Sequence, residues 1–117
     1  MSFRFRKFDV YQEAKEFHLK VLRICRVLPK RFSYLEDQLK RASLSIVLNI
    51  AEGSAKTSDR DFRRYIGNAL GSINEVMAAL EICKIEKLIS EDEFYVLENE
   101  VSKLTRKLGS LYKKLSQ

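Results

Sequence analysis

Few side chains in this sequence could do covalent or metal chemistry. One histidine, His18, and two cysteines, Cys25 and Cys83, are the candidate nucleophiles, bases or soft ligands. The cysteines stand 58 positions apart with no CxxC pairing, which reads as two reduced core thiols of a cytosolic protein. A zinc site needs about four clustered ligands, and a single histidine cannot supply them. His18 follows Phe17 with no serine or cysteine at catalytic spacing, and reads as a partly exposed helix residue. Glu52 and Glu75 have the chemistry of an acid/base pair, but no phosphate loop or nucleophile elbow accompanies them. The expectation is a protein without catalysis, metal or cofactor.

Cations offer a different chemistry. The chain holds 22 Lys+Arg against 16 Asp+Glu, a net charge of +6 and a pI near 9.4, so polyanions are plausible partners. Arg4, Arg6 and Lys7 crowd the start, Arg60, Arg63 and Arg64 the middle, and Lys113 and Lys114 the end. Guanidinium and ammonium groups meet phosphates, and Phe3 and Phe5, alternating with the first bases, could stack on unpaired bases. The plainer reading is that such residues solvate a tail while the phenylalanines pack on a neighbouring subunit.

The elements that must position these groups are four. Apolar residues recur in steps of three and four at Val10, Ala14, Phe17, Val21, Ile24 and Leu28, then at Leu35, Leu39, Ala42, Ile46, Asn49 and Gly53. They recur again from Phe62 through Ile66, Ala69, Ile73, Val76 and Leu80 to Cys83, and from Phe94 through Leu97, Val101, Leu104, Leu108 and Leu111 to Leu115. That period keeps one helical face apolar, whereas strands need steps of two. Pro29 stops the first helix, and Ser33 with Glu36 and Ser90 with Glu93 have capping-box spacing. Acids at Asp59 and Asp61 suit the start of the third helix, and Gly53 suits a left-handed close of the second. The predicted helices run over about 9–28, 34–53, 59–88 and 91–115, after a basic tail at 1–8.

With 117 residues the chain is a single domain, and short links force neighbours antiparallel. The predicted fold is all-α, an up-down-up-down antiparallel four-helix bundle. One proline and four glycines argue against an all-β protein, and 45% hydrophobic residues argue against disorder. No apolar run is long enough to span a membrane, and the N-terminus lacks a secretory signal. In this topology residues 1–12, 49–67 and 106–117 share one end, carrying +2, +1 and +4, which makes +7. The opposite end, residues 25–40 and 81–98, carries −2. Extra apolar positions at Tyr11, His18, Leu22, Cys25, Leu44, Val47 and Leu48 predict self-association.

Small residues form strips on the second helix (Ala42, Ser45, Asn49, Gly53) and on the third (Gly67, Gly71, Ala78). A mid-helix glycine costs about 1 kcal/mol against alanine, and close backbone approach would justify it. Asn49 falls on a predicted core position, with Arg41, Glu52, Ser72 and Glu75 as candidate partners in a buried register network. A ligand pocket built from Asn49, Glu52 and Glu75 is the sharper but less favoured reading.

The residues Gln38, Arg41, Ala42, Ser45, Ile46, Asn49, Ile50, Ala51, Glu52 and Gly53, followed by Gly71, Ser72 and Glu75, fit QxxRAxxSIxxNIAEG and GSxxE. This pattern resembles the four-helix-bundle family encoded by intervening sequences in bacterial 23S rRNA genes. The opening Phe8-Asp9-Val10-Tyr11-Gln12-Glu13-Ala14 is similar too, and Leu48 is a departure where a small residue is usual. The resemblance implies a cytoplasmic protein without known enzymatic activity that forms five-membered rings. A more distant relative, the accessory protein of diversity-generating retroelements, binds nucleic acid and a reverse transcriptase. The expected function is a ring-forming homopentamer that binds RNA or DNA electrostatically; the alternative is a scaffold docking a protein partner such as a reverse transcriptase.

Overall fold

A computed structural model describes residues 4–117; Phe3, named above as a stacking residue, lies outside them. A 3-10 turn at Arg4–Lys7 leads into α1 (Asp9–Arg26), and a second at Lys30–Phe32 leads into α2 (Ser33–Ser54). After these come α3 (Asp59–Ile85) and α4 (Glu91–Leu115), with no strand among the described residues. Each helix buries the stripe its spacing dictates: Phe17 and Val21 from α1, Leu39, Ile46 and Ile50 from α2, Ile66, Val76 and Leu80 from α3, Leu104 and Leu108 from α4. The result is a four-helix bundle 43 × 25 × 19 Å. No helix among the described residues is long and apolar enough to cross a membrane.

Neighbouring helices run antiparallel. Gln38 donates to Glu75 at 3.0 Å and Ser72 to Ser45 at 2.9 Å, while Gly53 lies against Phe62 and Tyr65, so α2 ascends as α3 descends. Across the α1–α4 seam, Lys20 pairs with Glu100 and Glu13 with Lys107. The α2–α3 pair packs most extensively and α1–α4 least.

Two starts form as the sequence predicts. The Ser58 hydroxyl accepts from the Asp61 amide at 3.1 Å. Ser90 and Glu93 close a reciprocal capping box with bonds of 3.0 and 3.1 Å. The box expected at Ser33 does not form: the Lys30–Phe32 turn runs straight into α2, Phe32 occupies the cap, and Glu36 pairs with Lys40 at 3.2 Å instead. α1 stops at Arg26, two residues early, because its last amides tighten onto Ile24 and Cys25 before Pro29.

Helix α3 ends at Ile85 rather than 88. Lys87 adopts φ 59°, its amide reaches the Lys84 carbonyl at 3.0 Å, and the Leu88 amide reaches the Cys83 carbonyl at 2.8 Å. This is a Schellman close built on a lysine where glycine is usual. Gly53, expected to be such a close for α2, lies within the helix, and no glycine among the described residues has positive φ. Its role is proximity: a Cβ there would stand 2.7 Å from Tyr65 Cβ and 3.0 Å from the Phe62 ring.

Two substitutions should therefore move stability in opposite directions. Gly53→Ala should destabilise by about 1–3 kcal/mol, since neither Tyr65 Cβ nor the buried Phe62 can step aside cheaply. Lys87→Gly should stabilise by about 0.5–1 kcal/mol, removing left-handed strain less the entropy glycine adds to the unfolded chain. Urea unfolding at one protein concentration measures both.

Candidate functional site

The three basic segments meet at one end of the bundle. Phe8 stacks on Phe62 with centroids 6.1 Å apart, tying the N-terminal turn to the start of α3. The Arg4 guanidinium lies 5.3 Å from the same Phe62 ring. From the other side Arg63 lies 5.9 Å from the Tyr112 ring of α4, with Lys113 and Lys114 next in sequence and exposed. Arg64 and Lys56 flank Tyr65 at 4.6 and 5.0 Å. Cation–π contacts of this kind hold guanidinium groups at the surface without neutralising them. Arg4, Arg6, Lys7, Arg60, Arg64, Lys113 and Lys114 are exposed and Arg63 is half-buried. A recess of about 600 Å3 opens among Ser58, Arg60, Asp61, Arg63, Arg64 and Tyr112. Phe5 packs edge-on against Tyr11 at 4.7 Å.

The α2–α3 motif is organised differently from the expectation. Asn49 is half-buried, and the apolar core position beside it belongs to Ile50. Its amide donates to the Ser45 carbonyl at 2.8 Å and the Ser45 hydroxyl at 3.0 Å. The Ser72 hydroxyl reaches Ser45 at 2.9 Å and the Asn68 carbonyl at 3.1 Å, so the inter-helix link is Asn49–Ser45–Ser72. Arg41 and Glu52 are exposed and take no part in it, while Glu75 accepts from Gln38. Glu52 and Glu75 do not converge on a pocket with Asn49. Nor does Gly71 mark a close approach within the protomer: it is exposed, and a Cβ there would meet nothing within 4 Å.

A protein-family model, the 23S rRNA-intervening sequence protein, matches residues 6–110. The chain belongs to that family. Among solved structures it is similar to a protein of unknown function from the S23 ribosomal protein family of Bacteroides thetaiotaomicron. The two share 24% identity and a TM-score of 0.83, over 89% of this chain and 98% of that one, a likeness of fold. No curated protein matches the sequence. In this family member the motif thus supplies one polar link, one close approach at Gly53, and an outward face carrying Arg41, Leu44, Leu48, Glu52, Gly71 and Glu75.

The groups with covalent chemistry are held in structural surroundings. Burial pushes the Cys25 pKa up to about 11, helped by the nearby Glu36 carboxylate and opposed by Lys40, and burial raises Cys83 as well. Both stay protonated at neutral pH, which makes them poor nucleophiles. His18, read as a partly exposed helix residue, has its Nδ1 at 2.7 Å from the fully buried Ser43 hydroxyl of α2, and burial lowers its pKa. Among the described residues no three His, Cys, Asp or Glu side chains cluster as metal ligands would.

Sequence reasoning missed three contributors to the basic end: Phe62, Tyr65 and Tyr112. Each aromatic lies within a turn of a basic residue, and that interleaving was the available signal.

Proposed function

We propose that this family member is a non-enzymatic, ring-forming cytoplasmic protein that binds nucleic acid through the basic end of its bundle. The observation that carries the reading is the convergence of three basic segments on Phe62 and Tyr112. Phosphate neutralisation by such groups supplies most of the sequence-independent affinity for RNA or DNA. A ring of protomers repeats that end around one axis and multiplies the effect.

Self-association rests on the outward α2–α3 face. Leu48 is 53% exposed and Leu44 41% exposed, beside Gly71, where a neighbouring backbone has room to approach. Five subunits is the number the family resemblance implies. A second reading, docking of a protein partner, is favoured by the α1–α4 groove of about 580 Å3. Ile24, Val27, Val96 and Leu97 line it, between Lys20 and Arg23 on one rim and Asp92 and Glu93 on the other.

Light scattering should return a mass about five times 13.7 kDa, and a clean monomer at micromolar concentration would contradict the ring. Asn49→Leu should keep the helix content, because the side chain is only half-buried, while shifting that mass or its homogeneity by removing the amide from the Asn49–Ser45–Ser72 link between α2 and α3. Binding is tested by fluorescence anisotropy with labelled RNA across a salt series. Affinity should fall steeply with salt, and replacing Arg4, Arg6 and Lys7 together by glutamine should lower the log–log slope by about 2. No binding at low salt would leave the protein-docking reading standing.

A further inference from the structure

The recess between α3 and α4 is lined in a way the fold itself does not call for. Arg60, Arg63 and Arg64 occupy the first two turns of α3, so Arg60 stands three and four residues from like charges. Like charges at that spacing destabilise a helix, and the N-terminal end of a helix already carries the positive pole of its dipole. The acids nearby offset this only in part. Asp61 meets Arg64 at 3.9 Å, with both side chains more than half exposed, an arrangement worth little in water. Among the described residues Arg60 and Arg63 have no carboxylate partner. Two guanidinium groups are thus held unneutralised on the rim of one cavity.

Tyr112 forms the facing wall. Its ring edge lies 3.4 Å from the place a Cβ on Gly67 would occupy, so the missing side chain lets the ring sit close to the α3 backbone. Tyr112 as a whole remains 40% exposed. A cavity of about 600 Å3 falls in the size range of small-ligand sites. An aromatic ring beside unneutralised guanidiniums matches one chemistry well: a phosphate joined to a flat, unpaired base.

Resting on the nucleic-acid reading above, we infer that this recess takes one nucleotide of a single strand, its phosphate between Arg60 and Arg63 and its base against Tyr112. Duplex cannot use the site, because its bases are stacked and paired inside the helix. The basic tail then adds sequence-independent attraction around a site that reads strandedness.

The test uses the full chain, a fluorescein-labelled 12-nucleotide RNA without self-complementarity, and the same RNA annealed to its complement. Single strand should bind about tenfold or more tighter than duplex. Tyr112→Leu should weaken single-strand binding about tenfold and duplex binding far less, whereas Tyr112→Phe should bind as wild type. Arg60→Gln with Arg63→Gln should lower the slope for single strand by about 1.4. Helix content by circular dichroism checks that each variant is folded. Equal binding of both RNAs, or an unaffected Tyr112→Leu, overturns the recess; if the tail variant still weakens binding, the electrostatic end survives. Absence of binding to either RNA at low salt removes both proposals. An oligoglutamate peptide competing as well as the RNA would reassign the recess to an acidic protein surface and likewise overturn it.

Discussion

At Gly53 the helices α2 and α3 come so near that a methyl group would sit 2.7 Å from Tyr65 Cβ and 3.0 Å from the Phe62 ring. That approach follows from the absence of a side chain at one position, and much of the bundle's basic end depends on it. Phe62 is pinned at 4% exposure beneath Gly53, which leaves its ring to receive Phe8 and Arg4 from the N-terminal turn. Tyr65, one turn along, receives Lys56 and Arg64. A larger residue at 53 would push the start of α3 outward and scatter these groups. The close contact therefore gathers charge as well as closing a core.

Gathering like charge opposes stability, and the chain tolerates it in a recognisable way. Cations that belong to the fold are paired: Lys20 with Glu100, Lys40 with Glu36, Lys107 with Glu13. At the α3 start and the N-terminal turn, Arg4, Arg63 and Arg64 rest on aromatic rings, which attract a cation without cancelling its charge. Cation–π contacts also occur elsewhere, at Lys15 on Tyr11, Arg31 on Phe32 and Lys84 on Phe94; what marks this end is that several cations share it.

Most of the fold was legible because steps of three and four in apolar residues leave one solution per helix, and nearly every predicted core residue from Val10 to Leu108 is buried. The failures were local. Ser33 has capping-box spacing, yet a preceding 3-10 turn supplies the first bonds of α2, and hydroxyl spacing cannot reveal that. Lys87 takes a conformation that sequence reading assigns to glycine, held there by the amides of Lys87 and Leu88. Asn49 was read as core because it continues a heptad. The drift of an α-helix against a strict seven-residue repeat gives the position to Ile50 instead. For the site, topology alone brought the basic segments to one end. Their aromatic platforms, and the Ser43 partner of His18, depend on side-chain reach across helices, which spacing within one helix does not encode.

The most direct measurement is amide hydrogen exchange of the protein alone and saturated with single-stranded RNA. Protection should grow at residues 4–8, 58–67 and 110–117, the three segments that meet around Phe62 and Tyr112, with no change at 27–36 and 84–93 at the opposite end. RNA-dependent protection confined to that opposite end, or spread evenly along all four helices, would contradict a nucleic-acid surface built on the close contact at Gly53.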